Sequence, residues 1–224
     1  MSLILDLENA FTEKQNTENA FAMAKYMKNN FSFFGIKTDD RRQIFKTIWK
    51  ENQNEVSVNP RAIAVELYAK QKRELHYCAI EILIKTLKKN YLKEDIQLIE
   101  KLIITNSWWD SVDTIAKYIL GEYLSEFPLE TDSIIGRFSN SENMWLKRSA
   151  ILFQLGYKEK TNFELLKAIC EKHKSSTEFF IQKAIGWALR EYGKTNPEAV
   201  REFVHNSDFK PLSKKEALKN ISYA

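Results

Sequence analysis

Four segments of this chain can be laid over one another: CAIEILIKTLKK, DTIAKYILGEYL, SAILFQLGYKEK and KAIGWALREYGK. Their second residues, Ala79, Thr114, Ala150 and Ala184, are spaced by 35, 36 and 34 positions, and each is followed by isoleucine. A near-constant period of this size marks stacked helical pairs, because one pair cannot bury its apolar stripe alone and does so against its neighbours. The remaining pattern agrees. Apolar periodicity predicts helices over about 2–15, 18–31, 38–52, 59–70, 73–90, 93–105, 108–126, 129–138, 141–157, 162–174, 177–195, 197–206 and 213–222. The breaks are short and carry helix-start residues, as in Thr38-Asp39-Asp40, Ser141-Glu142, Ser176-Thr177-Glu178, Asn196-Pro197-Glu198 and Leu212-Ser213. No alternating strand pattern intervenes.

The expected fold class is therefore all-α, a single helical-repeat solenoid over residues 1–224. No tetratricopeptide signature is visible, so the expected form is a HEAT-like right-handed stack. The period also sets phase, at about 100° per residue around a helix. With the Ala or Thr of each unit at zero, the apolar stripe centres near 90°: each Ile falls near 100°, Tyr118 near 40°, and Ile119, Leu155 and Leu189 near 140°. Opposite it, by about the same count, fall Trp109, Asp113, Trp187, Lys117, Lys183, Arg190, Phe179 and Phe153, with Arg148 at the margin. Trp108 falls on the core side, and Trp145 is left open. In a curved stack this second face lines a concave surface, and large aromatics there are unusual for a merely solvated face.

The pairing within NSWWDSVD is the most pointed. Trp109 and Asp113 are four apart and share one helical face, setting a flat aromatic beside a carboxylate. A core has little use for an unpaired aspartate, and a solvated face little use for a tryptophan. The bland alternative is a half-buried Trp and a helix-capping Asp. Lysine and arginine interleaved with aromatics suit a nucleic-acid backbone, where cations meet phosphates and rings meet sugars and bases.

The composition narrows the field. A net charge of +4 permits a polyanionic partner without requiring one. Cys78 and Cys170 sit far apart in apolar patterns, without a CxxC, and are expected to be buried free thiols. His76, His173 and His205 are isolated and no HExxH or Gly-rich phosphate loop occurs, so no metal and no cofactor is expected. The first residues meet Asp6 and Glu8 too early for a signal peptide and no apolar run would span a bilayer, so a cytoplasmic location is expected.

SWWDSVD, WLKRSAILFQL and FFIQKAIGWALREY, in this order and spacing, resemble the bacterial DNA alkylation repair glycosylases of the AlkD type, which are built from HEAT-like repeats. AKYMKNNFSFFGIKTDDRRQIFK and PLSKKEALKNI extend the likeness to nearly the whole chain. The resemblance implies excision of N3- and N7-alkylated purines from double-stranded DNA by a monomer, without metal or cofactor. It implies that Asp113 is the catalytic acid, that Trp109 and Trp187 hold the lesion nucleotide's sugar and backbone, and that Arg148 binds phosphate. Tyr26 and Arg190 correspond to further DNA contacts, with Lys117, Lys183 and Phe179 on the same face. The family pattern expects another basic residue near Gly156 where this chain has LGYKEK, and Lys158 and Lys160 stand close by. Two other functions compete: a relative that binds distorted DNA without cleaving it, and a protein-interaction scaffold, a common role of helical solenoids.

Overall fold

The computed structural model describes residues 2–221. The chain divides into two compact units, residues 1–90 and 91–224, each taken by itself below. Among the described residues no strand forms, and Ser32 and Lys72 make one isolated bridge. No described helix is long and apolar enough to cross a membrane.

The first unit runs α1 (Leu3–Glu13), α2 (Thr17–Tyr26), α3 (Thr38–Glu51), α4 (Gln53–Val58), α5 (Pro60–Tyr68) and α6 (Arg73–Leu87). Helix α1 buries Leu3, Ile4, Leu7 and Phe11 against α3, which buries Phe45 and Ile48 in turn. Pro60 opens α5, which pairs with α6. Helix α2 was expected to run to residue 31 and stops at Tyr26, because Lys28 and Asn29 take left-handed conformations with φ 56° and 59°. The loop that follows is held by Glu74, a fully buried carboxylate of α6. It accepts the backbone N–H groups of Phe34, Gly35 and Ile36 at 3.1, 2.8 and 3.2 Å. Gly35 is required there, with φ at 90° and the place of a Cβ only 2.0 Å from the Asn16 carbonyl oxygen. Cys78 is buried, and desolvation pushes its thiol up to about 12.

The second unit contains α7 (Asp95–Ile104), α8 (Trp109–Ile115), α9 (Gly121–Glu126), α10 (Thr131–Asn140), α11 (Met144–Leu152), α12 (Phe163–His173), α13 (Phe179–Tyr192), α14 (Pro197–Asn206) and α15 (Pro211–Ala217). The repeat is realised here. Helix α7 packs on α8, α10 on α11, α12 on α13 and α14 on α15, while the second helices stack in series, α8 on α11, α11 on α13 and α13 on α15. Their register residues form the seam, with Ile115, Ala150, Ile151, Ala184, Ile185 and Ala217 buried to within 1% of complete.

Several boundaries depart from the periodic reading for local reasons. The predicted helix over 108–126 is interrupted by a π turn at Ala116–Leu120, where the Gly121 N–H reaches back five residues to the Ala116 carbonyl. That wider turn shifts the phase, so Tyr118, placed in the apolar stripe, is 44% exposed. The predicted helix over 141–157 is only Met144–Leu152. Phe153 therefore lies in the turn beyond its end and is buried instead of facing outward. Pro211 at the first helical position starts α15 two residues early, and residue 222 of the predicted 213–222 lies outside the described residues.

Candidate functional site

Helix α8 begins abruptly. Ser107 Oγ donates to the Ile103 carbonyl at 2.6 Å, Asn106 takes a left-handed φ of 48°, and Trp108 is fully extended before Trp109 enters the helix. Asp113 is the fifth residue of α8, too deep to cap it. Its carboxylate is instead one half of an ion pair 35 residues long in sequence. Arg148 Nε and Nη2 donate to Asp113 Oδ1 and Oδ2 at 2.7 Å each, a fork in which both side chains are nearly sealed, at 4% and 10% exposure. The third corner of the guanidinium, Nη1, donates to the Phe180 carbonyl of α13. The pair thus ties α8, α11 and α13 together.

Burial pushes the Asp113 carboxyl above its ordinary value, the two Arg148 bonds pull it down, and the neighbouring Asp110 charge adds to the rise. A lone carboxylate so desolvated would be easier to protonate. The arginine fork is what favours the charged form in this place.

An aromatic cluster lies beside the arginine. Trp108, Trp145 and Phe180 form a triangle with centroids 5.8, 5.3 and 5.0 Å apart, Phe179 meets Phe180 edge-on at 5.4 Å, and the Arg148 guanidinium lies 5.8 Å from the Phe180 centroid. Trp108, expected in the core, is half-buried and its Nε1 is buried without a hydrogen-bond partner. Phe180 lies against the arginine, and Trp145, left open by its phase, packs on Phe180 and Trp108. The signal for Phe180 was the doubled aromatic at the start of α13; its carbonyl's role had none.

The other sequence-predicted residues sort by helix. Trp109 is half-buried at the first position of α8, on the Asp113 face. On α13, Lys183, Trp187 and Arg190 stand at i, i+4 and i+7, one stripe. Trp187 is 37% exposed and Phe179, at the start of the same helix, 57%. Both cations of the stripe bind one carboxylate of α15: Lys183 Nζ lies 2.9 Å from Glu216 Oε1 and Arg190 Nη1 2.8 Å from Oε2. They hold Glu216 below the usual carboxylate range, Lys183 most strongly. Sequence reading missed Glu216 because the repeat was followed only to α13. Ala217, 33 positions after Ala184, carries it one unit further.

Lys117 lies in the π turn with Nζ 4.6 Å from the Tyr118 ring centroid, and its Cε is 3.2 Å from where a Cβ on Gly156 would stand. Lys158 is exposed with φ at 54°. Tyr26 is 68% exposed at the end of α2, in the first unit. The structure therefore joins Asp113 directly to Arg148, and Lys183 to Arg190 through Glu216.

An all-helical stack of pairs with a buried Asp–Arg fork beside an aromatic cluster defines a helical-repeat protein with a built polar site. The family of DNA alkylation repair enzymes matches residues 7–221. A solved structure described as a predicted DNA alkylation repair enzyme from Enterococcus faecalis is 35% identical, superposes with a TM-score of 0.85, and is similar over 94% of this chain and 98% of that one. No curated protein matches this chain. The chain belongs to the DNA alkylation repair enzyme family.

Proposed function

We propose that this protein is a DNA glycosylase that releases cationic N3- and N7-alkylpurines from duplex DNA, with Asp113 as the catalytic carboxylate. An alkylated purine of this kind already bears positive charge, so its glycosidic bond breaks without an acid to protonate the base. As the bond lengthens, positive charge grows on the deoxyribose. A fixed carboxylate beside the sugar stabilises that charge and orients water toward the anomeric carbon. The observation that supports this reading is the Asp113–Arg148 fork: an arginine that favours the ionised carboxylate in a desolvated place, where electrostatic stabilisation is stronger than in water.

Arg148 then has two functions. Three of its five N–H donors serve Asp113 and the Phe180 carbonyl, and with its side chain only 4% exposed any phosphate is met through the edge that carries the remaining two. Trp109 and Trp187 offer indole faces to the sugar and backbone, where a cationic partner gains about 0.5–2 kcal/mol. Arg190, Lys183, Lys117, Lys158, Phe179 and Tyr26 supply further backbone contacts. Selectivity comes from the instability of the charged nucleotide, so neutral lesions such as uracil are poor substrates.

The test is release of 7-methylguanine from alkylated duplex DNA. Asp113→Asn, an isosteric neutral change, should lower the rate by about 10²–10³. An unchanged rate, or release of uracil as fast as of 7-methylguanine, would remove this assignment.

A further inference from the structure

Among the α13 residues that face a DNA backbone in the reading above, Lys183 and Arg190 are half-buried cations beside the exposed Trp187 indole, and the cations are not free. Lys183 and Arg190 stand on either side of Trp187 along the helix, and both are drawn to Glu216, whose side chain is 14% exposed. Arg190 Nη1 also donates to the Glu216 carbonyl at 3.3 Å. The approach of α15 that makes this possible depends on Gly186, the residue beside Trp187: a Cβ there would stand 2.4 Å from Glu216 Cβ and 2.9 Å from the Ser213 carbonyl oxygen. The carboxylate is thus built into the helix contact and is not a casual surface partner.

We propose that Glu216 is a specificity-determining residue: it holds Lys183 and Arg190 back from indiscriminate phosphate contact and fixes them on the two sides of the Trp187 indole. The inference rests on the proposed DNA-binding function. A phosphate that approaches either cation must displace an acceptor as good as itself, so the exchange gains little on undamaged duplex. The exchange goes forward where the indole gains the sugar and backbone of an alkylated nucleotide at the same time. One internal carboxylate therefore makes the phosphate contacts of the stripe conditional on the contact made by Trp187.

Glu216→Gln keeps the shape and removes the charge. Its affinity for undamaged duplex should rise about tenfold near 0.1 M salt, with the slope of log K against log salt steeper by about 0.9 for each cation released. The preference for alkylated over undamaged duplex should fall by a similar factor. A gain of affinity cannot arise from misfolding, so a purely structural Glu216 would not produce it. Adding Arg190→Gln to Glu216→Gln should bring the slope about halfway back. Lys183→Gln alone, which leaves the carboxylate in place, should change the wild-type slope by less than about 0.9, because Lys183 is already partly offset by the carboxylate it shares with Arg190.

The proposal fails if Glu216→Gln binds undamaged duplex no more tightly and with no steeper slope, or if Lys183→Gln alone costs a full charge of slope. If the wild-type protein shows no salt-dependent duplex binding at all, the DNA-binding reading falls, and the role of Glu216 falls with it. That result is distinct from a failure of Glu216 alone.

Discussion

At the scale of single residues the molecule turns on one guanidinium. Arg148 satisfies both oxygens of Asp113 and a carbonyl from the next repeat, with the ion pair nearly sealed from bulk water. Removing one member of such a pair leaves the other charge buried without compensation, which costs roughly 3–5 kcal/mol. Arg148→Met should therefore lower stability by about that amount at neutral pH, measured by urea unfolding. It should also change the pH profile in a defined direction. Desolvation already raises the Asp113 carboxyl above its ordinary 3.8, and Arg148 supplies the opposing pull. Activity that needs the ionised form is lost as pH falls through the folded-state value, and without Arg148 that acid limb moves to higher pH. A limb that stays put in Arg148→Met would mean that Arg148 does not set the charge state of Asp113.

At the scale of elements, close approach decides what the helices can present. Gly186 lets α15 sit against α13, and Gly121 lets α9 sit where a Cβ would come 2.5 Å from the Phe153 carbonyl oxygen. A methyl group at position 186 meets backbone and a Cβ, neither of which can swing aside. Gly186→Ala should destabilise the second unit by about 1–3 kcal/mol and loosen Glu216 from Lys183 and Arg190. Thermal unfolding reads the first effect and the salt slope of duplex binding reads the second. An unchanged melting temperature would contradict the tight fit. The π turn acts at the same scale. It begins three residues after Asp113, shifts the phase of the residues that follow, and leaves Lys117 half-buried and Tyr118 exposed.

At the scale of the whole chain the division into two units has a consequence in solution. Residues 88–90, between α6 and the second unit, are exposed and include Lys88 and Lys89, the latter with φ at 64°. Exposed segments between packed units are where proteases cut first. Limited trypsin digestion should cleave first after Lys88 or Lys89, as mass spectrometry of the early fragments would reveal. First cuts within α11–α13 would argue that the second unit is not the compact body described.

Much of this was legible in the residues. The period through Ala79, Thr114, Ala150 and Ala184 specified stacked pairs, because apolar spacing is a property of each helix by itself. Trp109 and Trp187 stood out because large aromatics conflict with the phase opposite the core, and Asp113 because it shares a helical face with Trp109. Phase failed where the regular helix does, at the π turn for Tyr118 and beyond the end of α11 for Phe153. What no one-dimensional reading could supply was partnership. That Asp113 is held by Arg148, and that Lys183 and Arg190 share Glu216, depends on contacts between repeats about 35 residues apart, which only the stacking of one helix on the next brings within 3 Å.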